Sequence, residues 1–93
     1  MAQRVSLHPQ VVGEAGATRE WYEARSPAAA EAFVLELDHA IDQIGRFPRR
    51  WPSYFYGTRR FLLHRYPFSV IYRKVGSEAE IPALAHASRR PGY

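Results

Sequence analysis

The side chains able to grip or transform a polyanion stand late in this sequence. From Gln43 to Ser77 there is no acid, against eight bases: Arg46, Arg49, Arg50, Arg59, Arg60, Arg65, Arg73 and Lys74. Twelve of the thirteen bases in the chain are arginine, whose planar guanidinium pairs phosphate or carboxylate in a fork. Arginine stabilises charge but is a poor proton carrier, because its pKa exceeds about 12. Cleaving RNA by attack of a 2′-hydroxyl needs one group to take that proton, another to protonate the leaving oxygen, and cations for the developing charge. The proton carriers for such a reaction are His86 and Tyr93, with His64 behind them. Arg59, Arg60, Arg65, Arg73, Arg89 and Arg90 are the candidates to hold a nucleic acid or a target surface. Both proton carriers also have structural readings: His86 as a strand-end residue bonded to a neighbour, Tyr93 as an aromatic packing the terminus.

Other chemistries fall away. There is no phosphate-cradling glycine loop, no G-x-S-x-G elbow and no H-E-x-x-H. The four histidines (His8, His39, His64, His86) are more than twenty residues apart, so no metal site is expected, and no cofactor. Asp38 and Asp42, with Glu31 and Glu36, read as the solvated side of a helix. With no cysteine, neither a disulfide framework nor a thiolate site is available, which fits a reducing cytoplasm. No apolar stretch is long enough to span a bilayer, so no membrane partner is expected.

The elements that must position these residues follow from periodicity. The 93 residues make one domain, 1–93, and 46% hydrophobic with 24% charged residues is a globular balance. Arg4–Leu7 reads as a short extended piece ended by His8–Pro9. A helix follows over Gln10–Arg25, with Val12, Ala15, Trp21 and Tyr22 as its apolar stripe. Ser26–Pro27 restarts the chain with an N-cap serine and a proline at the first helical position. The second helix spans Pro27 to Gly45, a glycine suited to the C-cap. Its stripe is Ala30, Phe33, Leu37, Ile41 and Ile44. Phe47–Gly57 is an aromatic-basic loop, in which Trp51, Tyr54 and Phe55 either close the edge of a small core or stack bases. Strands are expected at Arg59–Tyr66, Phe68–Lys74 and Ile81–Ala87, with Val75–Glu78 as a hairpin turn. The order β-α-α-β-β-β is α+β, a helical hairpin on one face of a small, mostly antiparallel sheet. Leu62, Val70 or Ile71, and Ala83 or Ala85 are expected to form the face under the helices. The segment 1–42 carries seven acids against three arginines, so the acid-free block is set apart by charge. Such a block attracts an acidic peptide or a nucleic acid.

Several fragments of this pattern occur together. They are Glu20-Trp21-Tyr22, the Ser26-Pro27 restart, Phe47-Pro48…Trp51-Pro52, and Arg60-Phe61-Leu62-Leu63. Arg65-Tyr66-Pro67-Phe68…Ile71-Tyr72-Arg73 and the terminal His86-x-x-Arg89-Arg90-Pro91-Gly92-Tyr93 complete the set. In this order they resemble the RelE/ParE superfamily of toxins from bacterial type II toxin–antitoxin modules, also called plasmid stabilisation proteins, over nearly the whole chain. The resemblance implies a growth-inhibiting cytoplasmic toxin neutralised by a cognate acidic antitoxin. It leaves two targets open: DNA gyrase, as in the ParE-like branch, or ribosome-bound messenger RNA, as in the endonuclease branch. The nuclease branch often sets several lysines on its sheet, whereas this chain has only Lys74, and the terminal His-x-x-Arg leans to the ParE-like sequences. A nucleic-acid-binding domain without toxicity is a third reading.

Overall fold

The structure, a computed structural model, describes residues 4–86. Strand β1 (Arg4–Leu7) leads into α1 (Pro9–Glu23) and α2 (Pro27–Arg46). After a long loop with one 3-10 turn (Phe55–Gly57) come β2 (Arg59–Leu62), β3 (Phe68–Val75) and β4 (Glu78–His86). The sheet order is β1-β4-β3-β2; β1 runs parallel to β4, and the other pairings are antiparallel. The expected α+β architecture is therefore present, with both helices on one face of the sheet.

Local chemistry explains the element boundaries. His8 both ends β1 and caps α1, its Nδ1 accepting the Gln10 N–H at 3.1 Å, with Pro9 at the first helical position. Ser26 does the same for α2, its Oγ accepting the Ala29 N–H at 3.2 Å. Gly45 is not the cap; it lies buried inside α2, which runs on to Arg46, held by Asp42 one turn back. β2 stops at Leu62, four residues short of the expected end. The His64 and Arg65 N–H groups donate to the Glu36 carboxylate instead of continuing a ladder. The last hairpin is tighter than expected: Val75 pairs with Glu78 around a two-residue Gly76-Ser77 turn, with Gly76 at φ 61°. That left-handed backbone suits glycine at a two-residue hairpin turn. β4 consequently starts at Glu78, three residues early.

The core lies between α2 and the sheet. Phe33, Leu37, Ala40 and Ile44 pack with Val11 from α1 and with Leu63, Val70, Tyr72, Ala79, Ile81 and Leu84 from the sheet side. Two expectations are corrected here. Leu62 is exposed and Leu63 buried, since Leu62 pairs with Ser69 on the face away from the helices. Ile81 and Leu84 are buried in the core, whereas Ala83 and Ala85 are only half-buried. Strict alternation would put Ile81 and Leu84 on opposite faces. The register between β3 and β4 slips between Ile71 and Arg73, leaving two residues, Ile81 and Pro82, opposite Tyr72. This bulge reverses the parity of β4 and accommodates a proline that has no N–H to give the ladder. On α1 the inward stripe is Val11, Ala15, Thr18 and Tyr22, with Val12 and Trp21 exposed. Ile41 on α2 is half-buried at the edge of its stripe.

Candidate functional site

The register divides the candidate residues among three places. Arg60 stands opposite Ile71, and Arg73 opposite Glu80, on the face of the sheet away from the helices. The Arg73 guanidinium donates to Glu80 at 2.7 Å, and that of Arg60 lies 5.0 Å from the ring centre of Tyr54. Arg4 joins this face through a 3.8 Å pair with Glu78.

Arg59, one residue before Arg60, points the other way. It stands opposite Tyr72 and donates to the Trp51 carbonyl at 2.6 Å, so it clasps the loop over the sheet. Beneath the same loop, the Tyr72 hydroxyl donates to the Pro48 carbonyl at 2.7 Å. Burial raises the Tyr72 hydroxyl above its ordinary pKa, opposed in smaller measure by Arg59. On the other side of the core, burial raises Tyr22 in the same direction, with Tyr66 adding to it.

His86 ends β4 on the helix-facing side, opposite Phe68, with the two ring centres 4.9 Å apart and nearly perpendicular. It borders a groove between α1 and the sheet, lined by Glu14, Thr18, Trp21, Tyr22 and Phe68. Arg65 is exposed in the β2–β3 turn, its backbone N–H held by Glu36 at 2.8 Å. Arg89, Arg90 and Tyr93 lie outside the described residues. The structure thus brings Arg60 and Arg73 onto one face and His86 onto the other. Among the described residues no group of three or more His, Asp or Glu side chains is placed to hold a metal.

In the aromatic-basic loop Trp51 takes the core-closing role, and Phe55, expected beside it, is exposed instead. Trp51 is half-buried and packs tilted against Phe61, centre to centre 4.6 Å, closing the core edge. Phe55 and Tyr56 remain 56% and 99% exposed. Tyr56 takes a left-handed backbone at φ 56°, followed by Gly57 at φ 71°. The Tyr54 N–H to Thr58 carbonyl bond of 2.8 Å closes this turn. A left-handed tyrosine persists only where its surroundings fix it.

Sequence reading put Glu36 on the solvated side of α2, where it is in fact half-buried and bound to the His64 and Arg65 N–H groups, and it missed the stacked pair Trp21–Arg25. The guanidinium of Arg25 lies 3.6 Å from the indole centre and also donates to the Trp21 carbonyl. The i,i+4 spacing was the available signal for the pair. Glu36 gave none, because its partners are backbone groups 28 and 29 residues away.

A helical hairpin over a four-stranded sheet in this order, with arginines on the outer face, is the arrangement that the resemblance to the RelE/ParE superfamily implied. Residues 5–91 match the family model described as ParE toxin of type II toxin-antitoxin system, parDE, and the chain belongs to that family. Among solved structures it is similar to a chain of the chromosomal ParDE TA system from P. aeruginosa. The TM-score is 0.82 at 20% identity, covering 94% of this chain and 98% of that one, a likeness of fold. No curated protein matches the chain. The protein is the toxin component of a type II toxin–antitoxin module, and an antitoxin is its partner. Among the described residues no helix is long and apolar enough to cross a membrane.

Proposed function

We propose that this toxin acts in the cytoplasm on DNA gyrase, and that an acidic segment of its antitoxin holds it in check through the basic block. The observation that carries the target is the separation of His86 from Arg60 and Arg73. A ribonuclease needs its proton carrier and its phosphate-holding cations around one scissile bond. Here the histidine packs on Phe68 on the helix side, while those arginines stand on the opposite face. The family match supports the same target, since ParE-like toxins are the gyrase-poisoning branch that the sequence resembles. Arg60, Arg65 and Arg73, with Arg89 and Arg90 of the tail, are proposed as the contact set. Arg59 serves the loop.

The deciding experiment adds the purified toxin to gyrase supercoiling plasmid DNA, and in parallel to ribosomes translating a defined messenger. Inhibited supercoiling with accumulation of cleaved plasmid is the expected result. Ribosome-dependent cleavage of the messenger with unaffected supercoiling would overturn the proposal.

A further inference from the structure

We infer that Arg49, Arg50 and Lys74 form a second anion-binding site, separate from the sheet-face arginines, that takes the phosphodiester backbone of a nucleic acid. The three cations meet around one shallow depression at the end of β3, floored by Phe47 and Pro48. All three are exposed. Among the described residues none has a carboxylate within ion-pair distance, whereas Arg4, Arg46 and Arg73 each have one. Like charges gathered without counter-charges repel one another, so such a group costs stability unless an anion joins it.

The loop that presents them is fastened. The Tyr72 hydroxyl holds the Pro48 carbonyl at 2.7 Å and Arg59 holds the Trp51 carbonyl at 2.6 Å, either side of Arg49 and Arg50. The Arg50 guanidinium is also flanked by the rings of Phe47 and Trp51, at 5.5 and 5.7 Å. Lys74 follows Tyr72 by two residues on the same face of β3. The backbone that carries Arg49 and Arg50 is therefore fixed before any ligand arrives, which lowers the ordering cost of binding.

The chemistry of the ligand follows from the shape. The depression is open and has no deep apolar pocket for peptide side chains. A phosphodiester chain needs none, because exposed cations bind it by displacing its counterions. This site does not depend on gyrase being the target.

The test measures binding of the full-length toxin to a 20-bp DNA duplex and to a 20-nucleotide single-stranded RNA, across a salt series. The variants are Arg49→Ala/Arg50→Ala/Lys74→Ala, the charge reversal Lys74→Glu, and Arg4→Ala/Arg19→Ala as a charge control elsewhere. The slope of log K against log salt should fall by roughly 2–3 in the triple variant on the duplex, at about 0.9 for each phosphate left without its cation. It should fall also in Lys74→Glu, whose exposed position leaves folding intact, and hold in the control. Whichever nucleic acid shows the larger loss identifies the source of the backbone. An unchanged slope in both site variants overturns the inference, as does failure to bind either nucleic acid. Equal, site-dependent binding of poly-glutamate would overturn it too, by marking an acidic-peptide site.

Discussion

The carboxylate of Glu36, in the middle of α2, accepts the backbone N–H of Arg65 at 2.8 Å, and one of its oxygens also takes the N–H of His64 at 3.0 Å. A helix side chain thus ends β2 and shapes the turn that carries Arg65. Glu36→Ala leaves both donors to water and should cost about 1–2 kcal/mol, the worth of charge-assisted bonds reduced by partial exposure. Glu36→Gln keeps a carbonyl acceptor and should lose about half as much. Urea unfolding of the two variants checks this; a Glu36→Ala protein as stable as the wild type would mean that the bonds do not shape the turn.

The contrast between α2 and β4 shows what was legible in the sequence. The α2 stripe could be read because every third or fourth residue is apolar and Ser26–Pro27 marks the start without ambiguity. The face of β4 could not, because the bulge at Ile81–Pro82 changes the parity of the strand, and Pro82 was the only local sign of it. Likewise Arg59 and Arg60 belong to one run of cations in sequence, yet adjacent strand residues point to opposite faces. Pooling them into one contact set overlooked that alternation, and the Arg59 bond to Trp51 joins residues eight apart across a loop with no regular period.

The core itself gives a second expectation. Leu37 is 8% exposed and packs in the cluster with Phe33, Ile44 and the sheet. Leu37→Ala should lower stability by roughly 2–5 kcal/mol, combining lost burial with a residual cavity. Leu35, on the same helix but 62% exposed, should tolerate the same change within about 0.5 kcal/mol. Chemical denaturation that finds the two variants equal would contradict the two-layer packing.

The alkaline limb of stability should depend on Tyr72. Its folded pKa is raised above the ordinary tyrosine value of 10.0, chiefly by burial, so the folded state holds this proton more tightly than the unfolded chain does. The stabilisation is full below the unfolded pKa and is lost as pH climbs above it through the folded value. Ionisation also removes the donor that the Pro48 carbonyl accepts. Tyr72→Phe should cost about 1 kcal/mol at neutral pH and flatten the fall in stability above pH 10. Thermal unfolding from neutral to alkaline pH measures both, and an alkaline limb as steep as the wild type would assign the proton elsewhere.

Antitoxin capture should be steered by charge. Segment 43–77 holds eight bases and no acid, so an acidic partner is drawn in at a rate that falls as salt screens the field over about 8–10 Å. Stopped-flow mixing of toxin and antitoxin should show association slowing as salt rises, with dissociation little changed. A salt-independent association rate would place recognition in the apolar grooves beside the helices, one of them lined by Trp21 and Phe68.

The C-terminal residues separate poisoning from cleavage. His86 stands edge-on to Phe68, so His86→Ala removes a packing contact and should lower stability by about 1 kcal/mol. If gyrase is the target, that variant and Tyr93→Phe should keep most of their inhibition of supercoiling, because neither deletes an arginine. Truncation from Ser88 removes Arg89 and Arg90 together and should abolish inhibition while the helices and sheet still form. A nuclease would behave in the opposite sense, losing about 10²–10⁴-fold in rate on loss of a proton carrier. Assaying the three variants for supercoiling inhibition and antitoxin affinity distinguishes the mechanisms. A His86→Ala protein that folds and binds antitoxin, yet has lost all toxicity, would return the histidine to catalysis.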